Sequence, residues 1–166
     1  MTPNLLHYNS IYPSFNWQDE QNLLNGLPER SGLNIAYEAI DRHAMGHLKN
    51  VVAFRWIRKD NSVEEATYAT LKKRTARFAN VLQNLGVNKG ETVSSFTGRI
   101  PDLYIAALGA MKKTAVFCPL FSLYGPEDVW QRLSHGNARV LVTTPYLFTA
   151  TNEADKSQGI MDLPSM

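Results

Sequence analysis

The fold is decided by residues 91–144, which read ETVSSFTGRIPDLYIAALGAMKKTAVFCPLFSLYGPEDVWQRLSHGNARVLVTT. Three short apolar, strand-like runs at residues 91–96, 115–120 and 139–144 alternate with two segments of helical length. Both helical segments open on a proline followed by acidic residues, which suits the first turn of a helix. Such alternation predicts right-handed crossovers and a parallel sheet covered on both faces, so the predicted fold class is α/β, doubly wound.

Upstream of that stretch, the segment LNIAYEAIDRHA at residues 33–44 predicts a helix. Asn34 stands at the expected N-cap position, and Gly46 is the expected end. His43 lies beside charged neighbours in this helix. We expect His43 to pack or to cap, since no acid or nucleophile is indicated at a spacing that would make it catalytic.

A hairpin and a second helix are predicted between this helix and the sheet. Residues 51–57 alternate in the manner of a strand, and a turn at residues 59–62 precedes a second short strand at about residues 66–68. We expect this hairpin to lie at a sheet edge. Thr70 is the expected cap of the helix that follows, whose apolar stripe runs to Leu82.

The first 32 residues predict an irregular, extended N-terminal arm. Prolines are scattered through it and periodicity is weak, apart from a possible short helix at residues 17–24. The predicted organisation is therefore an arm at residues 1–32 and a partial α/β subdomain at residues 33–166. The aromatic residues of the arm, which we expect to pack on something outside the arm, are Tyr12, Phe15 and Trp17.

Composition excludes several classes of function. With 166 residues, 44% of them hydrophobic, the chain can bury one core of domain size. Its 17 basic and 15 acidic residues give a net charge of +2, which is too small to indicate a nucleic-acid-binding surface. The lysines Lys112 and Lys113 are expected to be solvated. The single cysteine, Cys118, excludes an internal disulfide and a CxxC metal site. No leader or membrane span is predicted, so we expect a cytoplasmic location.

The loops after the predicted strands are where an open parallel sheet binds ligands. Gly98 and Arg99 precede a helix N-terminus and could receive a phosphate there. The alternative is a plain strand-to-helix turn with a surface arginine, and the sequence leaves both open. The motifs GxxxxGK[ST], GxGxxG, HExxH and GxSxG are missing, so the sequence predicts no phosphate cradle, metal site or activated serine.

Taken together, these residues resemble the beginning of the AMP-forming acetyl-CoA synthetases, which are acetate:CoA ligases of the adenylate-forming acyl-CoA ligase superfamily. Residues 33–43 resemble the N-terminal signature of that family, and Trp17 matches its aromatic lead-in. The resemblance extends over about residues 16–148. Further blocks in the order and spacing of the family are YATL at 68–71, RFANVL at 77–82, LGV at 85–87, KGE at 89–91, PDLY at 101–104, LGA at 108–110 and RVLVTTP at 139–145.

The resemblance implies a reaction in two steps. ATP and a short carboxylic acid give an acyl-adenylate and pyrophosphate, and the thiol of CoA then takes the acyl group. The full-length family enzyme uses ATP, CoA and Mg, and the resemblance places its ATP-binding and catalytic motifs beyond residue 166. For this chain no cofactor is certain and no catalytic residue is predicted.

The same resemblance implies one ligand contact within the chain. Phe121, Ser122 and Leu123 fall where the family lines the channel for the pantetheine arm of CoA. Two positions depart from the family pattern, because Thr97-Gly98 stands where Met-Pro is typical and Thr114 replaces a usual glycine.

Three interpretations follow. The first is the N-terminal portion of an acetate:CoA ligase, inactive alone, whose partners are the remainder of the ligase and a short-chain carboxylate. The second is a freestanding α/β module that binds a nucleotide or acts as a scaffold for other chains. The third is a truncated gene product with no activity. A half-sheet separated from its partner would expose a large apolar patch, whereas a soluble monomer that binds adenine nucleotide would contradict the first interpretation.

Overall fold

The computed structural model describes residues 7–149. Within the arm it contains two short α-helices, α1 (Tyr8–Ile11) and α2 (Trp17–Glu20), and single 3₁₀ turns. The possible short helix at residues 17–24 is present as α2 and the 3₁₀ turn Gln21–Leu23, and the further turns within residues 7–32 differ from an extended chain. Local signals explain the turns, because Pro13 lies in the first turn of one of them and the side chain of Asn16 caps α2.

The arm aromatics pack chiefly on one another. The rings of Phe15 and Trp17 meet edge to face at 5.0 Å, and those of Tyr8 and Tyr12 stack at 5.4 Å. All four side chains are exposed. The expected packing partner outside the arm is therefore not seen among the described residues.

Helix α3 spans residues 35–45 and begins where the sequence predicted. Asn34 Oδ1 accepts hydrogen bonds from the backbone N–H groups of Ala36 at 3.0 Å and Tyr37 at 3.2 Å, which confirms the N-cap. The helix ends at Met45, before Gly46. Its central part, Tyr37–Asp41, is a π-helical turn that the apolar spacing did not predict.

The hairpin consists of β1 (Val52–Ile57) and β2 (Val63–Thr67), which are antiparallel and form a separate two-stranded sheet. Two expectations are thus wrong, since the hairpin is not at the edge of the parallel sheet and its second strand starts earlier than residue 66. The acidic residues in β2 interrupt the apolar pattern, so the sequence did not indicate that the strand begins at Val63. Their charges are met across the hairpin, where Glu64 pairs with Arg58 and Glu65 with Arg55, each at 2.6 Å.

Helix α4 (Tyr68–Asn84) starts before the expected residue. Its cap is Thr67, whose Oγ1 accepts a hydrogen bond from the backbone N–H of Thr70 at 3.2 Å, so Thr70 is the capped residue and not the cap. The predicted apolar stripe is confirmed by the burial of Leu71, Thr75 and Leu82.

The predicted alternation from residue 91 onward is confirmed. Three parallel strands form one sheet in the order β4-β3-β5, with β3 in the centre. The elements are β3 (Thr92–Phe96), α5 (Pro101–Lys112), β4 (Val116–Leu120), α6 (Pro126–His135), β5 (Ala138–Thr143) and a last helical turn, α7, at residues 145–149.

Helices cover both faces of this sheet, as the doubly wound fold predicts. On one face, Leu82 of α4 and Ala110 of α5 pack against Val93. On the other face, Val129 of α6 packs against Phe96 and Leu120. Leu147 of α7 packs against this second cluster.

Helices α4 and α5 also join the sheet to the hairpin. A further cluster of Ile40, Ala66, Leu71 and Ile105 brings α3, β2, α4 and α5 together. The contact between α4 and α5 is close because Gly109 has no side chain: a Cβ there would lie 2.7 Å from Phe78 Cδ1 and 3.0 Å from the carbonyl oxygen of Thr75. Between residues 7 and 149, no helix has the length and apolar character needed to cross a membrane.

Candidate functional site

The carboxyl ends of the three parallel strands lie level with one another. Phe96, the last residue of β3, is opposite both Leu120 and Thr143. Thr143 Oγ1 donates a hydrogen bond to the carbonyl oxygen of Phe96 at 2.8 Å, which fixes β5 to β3 at this end. The chain leaves β3 toward one face and β5 toward the other, which is the arrangement that opens a crevice in sheets of this class. We call the loops at residues 97–100, 121–125 and 144 the carboxyl edge.

The loop after β3 contains Gly98 and Arg99. It is a tight turn, in which the backbone N–H of Ile100 donates to the carbonyl oxygen of Gly98 at 2.9 Å, and the Arg99 side chain is exposed. Thr97 is only 6% exposed, and its hydroxyl has no hydrogen-bond partner among the described residues. Asp102, in the first turn of α5, pairs with Arg74 at 2.9 Å, so this helix N-terminus already holds a carboxylate.

The loop after β4 presents an apolar surface. Phe121 is 57% exposed and Leu123 is 80% exposed, while Ser122 is half-buried between them. Tyr124 holds the turn, because its backbone N–H donates to the carbonyl oxygen of Phe121 at 3.1 Å and the two rings meet edge to face at 5.7 Å. The Arg132 guanidinium lies 3.9 Å from the centroid of the Tyr124 ring. The loop can therefore offer an apolar wall beside one hydroxyl, and it carries no charge.

The structure brings the two candidate groups to the same edge of the sheet, as the parallel topology predicts. It shows no hydrogen bond or ion pair between Gly98 or Arg99 and the residues 121–123. Gly98 and Arg99 lie on one loop, and residues 121–123 lie on another. The two loops are neighbours because β3 and β4 end at the same level.

Residues 33–44, which we call the signature segment, lie away from this edge and have a structural role. Glu38 accepts backbone hydrogen bonds from Gly26 at 2.7 Å and Asn25 at 3.2 Å, and it pairs with Arg42 at 3.0 Å. Arg42 also donates to the carbonyl oxygen of Leu23 at 3.0 Å. These contacts tie the arm to α3.

The same segment ties α3 to the end of α5. Asn34 Nδ2 donates to the carbonyl oxygen of Met111 at 2.8 Å, in addition to its capping role. Asp41 and Lys112 form an ion pair at 2.6 Å, and their side chains are only 17% and 11% exposed. The expectation that Lys112 is solvated is therefore wrong. A lysine pair at a helix end is usually solvated, and only the packing of α3 on α5 provides Lys112 with a largely shielded partner.

A small cavity of about 240 Å³ lies where the arm meets the end of α3. His43 lines it, and its ring packs against Tyr68 at 5.1 Å, which agrees with the expected packing role. The lining residues are Asn25, Arg42, His43, Gly46, His47 and Leu48.

Titratable chemistry is sparse in the part of the chain that the structure describes. Residues 7–149 contain no group of three or more histidine, cysteine or acidic side chains that could hold a metal ion. The hydroxyl and the backbone N–H of Ser62 lower the pKa of Asp60, and this pair lies in the hairpin turn. Neither residue belongs to the loops that form the carboxyl edge.

Comparison with known proteins shows a match to a family of enzymes and to several of its members. Residues 40–165 match the family of AMP-binding enzymes. The acetyl-coenzyme A synthetase of Bacillus subtilis (strain 168) is 40% identical over 146 residues, which are 87% of this chain and 25% of that protein. The acetyl-coenzyme A synthetase of Methanothrix soehngenii is 38% identical over 113 residues, which are 67% of this chain and 17% of that protein. The chain therefore spans a quarter or less of the length of these curated relatives.

Solved structures agree with the sequence relatives. The acyl-CoA synthetase of Brucella canis superposes with a TM-score of 0.78 at 30% identity, over 95% of this chain and 30% of that one. The benzoate CoA ligase of Burkholderia xenovorans LB400 superposes with a TM-score of 0.62 at 26% identity, over 75% of this chain and 24% of that one. Because the family match covers most of residues 33–149 and the same segment has the fold of acyl-CoA synthetases, this chain belongs to the family of AMP-binding enzymes.

Proposed function

We propose that this chain is the N-terminal part of a cytoplasmic, AMP-forming ligase that activates acetate, or another short carboxylic acid, and transfers its acyl group to CoA. The observation that carries the proposal is the 40% identity to the Bacillus subtilis acetyl-coenzyme A synthetase over 146 residues. A relative from Sulfurisphaera tokodaii, 30% identical over 124 residues, is a 3-hydroxypropionyl-coenzyme A synthetase. The names of both relatives favour a short acid.

The proposed reaction joins two substitutions. A carboxylate oxygen of the acid bonds to the α-phosphorus of ATP, and pyrophosphate leaves with the electron pair of the broken P–O bond. The sulfur of CoA then bonds to the acyl carbon, and AMP leaves. Activation is needed because a free carboxylate resists nucleophilic attack until one of its oxygens belongs to a good leaving group. We propose that ATP and Mg²⁺ are bound by the remainder of the ligase.

Within this chain, we propose that Phe121, Ser122 and Leu123 line the path of the pantetheine arm of CoA. The apolar, exposed Phe121 and Leu123 suit the aliphatic parts of that arm, and the hydroxyl of Ser122 can hydrogen-bond to one of its amides. Gly98 and Arg99 are proposed to face a phosphate, and exposure of the Arg99 guanidinium supports this. The carboxylate of Asp102 near the same helix N-terminus makes this second contact the weaker of the two.

We propose further that the chain is inactive by itself and that its partner is the remainder of the ligase. Exposed apolar side chains support this, because a freestanding module would be expected to bury them. The arm at residues 1–32 and the α/β part at residues 33–166 would then be two regions of one N-terminal subdomain. Exposed apolar residues on the carboxyl edge, α6 and α7 are Phe121, Leu123, Trp130, Tyr146 and Phe148.

The test is acetate-dependent exchange between ATP and labelled pyrophosphate. Three samples are compared: the 166-residue chain, the part of the Bacillus subtilis enzyme that follows the matched segment, and a fusion of the two. Of these three samples, we expect only the fusion to catalyse exchange. The reference is the whole Bacillus subtilis enzyme, which supplies both parts from one protein. Exchange by the chain alone, or tight binding of adenine nucleotide by the chain as a soluble monomer, would contradict the proposal.

A further inference from the structure

All titratable groups that line the cavity beside the end of α3, which we call the arm cavity, are bases. Its volume is about 240 Å³, and none of the described residues that line it is an aspartate or a glutamate. The nearest acids along the chain have cationic partners already, since Glu38 pairs with Arg42 and Asp41 pairs with Lys112. A guanidinium, two imidazoles and an amide therefore supply the polar lining. They belong to Arg42, His43, His47 and Asn25.

Arg42 uses one edge of its guanidinium within the chain and leaves the other edge unused. Nη1 donates to the carbonyl oxygen of Leu23 and to the carboxylate of Glu38, both at 3.0 Å. The Nε atom is buried and has no hydrogen-bond partner in residues 7–149. A buried N–H without an acceptor is costly, and the Nε–Nη2 edge matches two oxygens of one oxyanion. The state of Arg42 thus favours an anionic ligand in the cavity that it lines.

The two imidazoles also have nitrogen atoms that no described residue engages. The His43 ring packs against Tyr68 at 5.1 Å, and neither of its nitrogens makes a hydrogen bond within residues 7–149. His47 is exposed in the turn after α3 and likewise makes none. An imidazole can donate an N–H to an oxygen whether it is neutral or protonated. The cavity can therefore offer donors from several directions, as a tetrahedral oxyanion requires.

The end of α3 offers less opposition to an anion than a bare helix C-terminus would. Free carbonyl groups give such an end a partial negative charge. Here the carbonyl oxygen of His43 accepts from the backbone N–H of Gly46 at 3.2 Å, and that of Gly46 accepts from Lys49 at 3.2 Å. The exposed side chain of Lys49 adds a positive charge to the same turn.

We infer that the arm cavity binds a small phosphate, either inorganic phosphate or the phosphate group of a small ester, and that this ligand fastens the arm to α3. Asn25 comes from the arm, whereas the three bases come from α3 and the turn that follows it. Sites for drug-sized ligands have about 300–1,000 Å³, so this smaller cavity suits a phosphate with little attached to it. The inference stands apart from the proposed ligase function, since neither ATP nor CoA enters it.

The experiment titrates the 166-residue chain with inorganic phosphate and with glycerol 3-phosphate in a calorimeter, at constant ionic strength. We expect at least one of them to bind with a dissociation constant of about 1 mM or lower, and the tighter one identifies the source of the phosphate. Acetate, with two oxygens and one charge, should bind at least about tenfold more weakly. Binding of neither phosphate below about 10 mM, or binding of Zn²⁺ in place of both, would overturn the inference.

A matched pair of histidine variants locates the ligand. His47 and His135 are both exposed near the end of a helix, but only His47 lines the arm cavity. We expect His47→Leu to weaken phosphate binding about tenfold, the scale of one hydrogen bond to a charged group, and His135→Leu to leave it unchanged. The pair also removes the general stabilisation that phosphate gives to folded proteins. Equal effects of the two variants would overturn the inference.

Amide hydrogen exchange tests the fastening of the arm in the unsubstituted chain. The backbone N–H groups of Asn25 and Gly26 donate to the carboxylate of Glu38, so their exchange reports opening of the arm from α3. We expect saturating phosphate to slow this exchange by about threefold or more, whereas sodium chloride at the same ionic strength should not. Exchange that phosphate leaves unchanged would overturn the inference, and this measurement decides the matter if His47→Leu does not fold.

Discussion

The signature segment and the carboxyl edge are built in opposite ways. In the signature segment, Asn34, Glu38 and Asp41 each have defined partners within the chain, at the arm or at the end of α5. At the carboxyl edge, Phe121 and Leu123 project outward, and the buried hydroxyl of Thr97 has no partner among residues 7–149. The residues that are easiest to recognise hold the structure together, and the residues proposed to touch a ligand form an incomplete site.

The physical reason lies in the cost of burial. A buried charge or amide is stable only with a partner at the right distance, so the spacing of such residues is constrained and forms a recognisable motif. An apolar wall tolerates exchange of one hydrophobic residue for another, so it leaves a weaker pattern in the sequence. The following predictions test this contrast, beginning with the largest expected effect.

Lys112→Ala should have the largest effect, because it removes the partner at 2.6 Å from the Asp41 carboxylate, whose side chain is only 17% exposed. We expect the free energy of unfolding to fall by about 2–3 kcal/mol, somewhat less than for a fully buried pair. Urea denaturation followed by circular dichroism measures this. Lys113→Ala, one residue along, is the control and should change stability by less than about 0.5 kcal/mol. Similar losses in both variants would show that the Asp41 pair is not what stabilises the segment.

Gly109→Ala tests the close approach of α4 to α5. The new methyl group would lie 2.7 Å from Phe78 Cδ1 and 3.0 Å from a backbone carbonyl oxygen, which cannot move without α4. We expect a loss of about 2 kcal/mol, despite the better helix propensity of alanine. The matched control is Gly98→Ala at the carboxyl edge, where an added Cβ meets nothing within 4 Å. A thermal midpoint that falls equally in both variants would refute the packing argument.

Asn34→Ala removes an N-cap and the hydrogen bond to the carbonyl oxygen of Met111. We expect a loss of about 1.5 kcal/mol, the sum of a typical cap and part of a hydrogen bond. Asn16→Ala is the comparison, since Asn16 caps the short helix α2 in the arm and is exposed. Its loss should be under about 0.5 kcal/mol, because a single arm turn adds little to the core. A larger fall in the denaturation midpoint for Asn16→Ala than for Asn34→Ala would contradict the greater structural role assigned to the signature segment.

Phe121→Ala and Leu123→Ala should each change the free energy of unfolding by less than about 0.5 kcal/mol, because both side chains are largely exposed. In the fusion with the Bacillus subtilis segment, we expect the same variants to raise the KM for CoA while pyrophosphate exchange stays unchanged. Steady-state assays of both half-reactions make the distinction. An unchanged KM for CoA would remove the proposed pantetheine contact.

The smallest expected effect concerns Asp60 in the hairpin turn, which lies outside both regions. Ser62 lowers the pKa of Asp60 below 3.8, so the carboxylate stabilises the fold above that value and the contribution is lost as the pH falls through the lowered pKa. Asp60→Asn should therefore differ from the parent chain near pH 6 and converge with it as the pH falls through the lowered pKa of Asp60. Ser62→Ala, which keeps the backbone donor, should lie between them. Parallel stability curves for parent and variant across this range would contradict the prediction.

Most of the fold could be predicted from the sequence because its signals are local. Proline followed by an acidic residue marks the starts of α5 and α6, and both helices begin at the expected residues. The errors occur where distant groups decide the outcome. Strand β2 starts earlier than expected, because its acidic residues have arginine partners across the hairpin. Helix α4 is capped by Thr67, where the sequence had suggested Thr70.

The candidate site was predictable only in position. Parallel topology places residues 97–100 and 121–125 at one edge, and the structure confirms that the ends of β3 and β4 are level. The partners of the signature segment were not predictable, since Asn34 and Met111, or Asp41 and Lys112, are far apart in the chain.

The sequence by itself determined the α/β class and the order of the strands and helices from residue 91 onward, because periodicity and caps act over a few residues. The family resemblance was carried by the residues of the signature segment and of the matching blocks that follow it. Only the tertiary structure decided that the hairpin forms its own sheet and that Lys112 pairs with Asp41 in a largely shielded position. Each of these depends on which element packs beside which. That choice is made by long-range burial and hydrogen bonding, which no local pattern records.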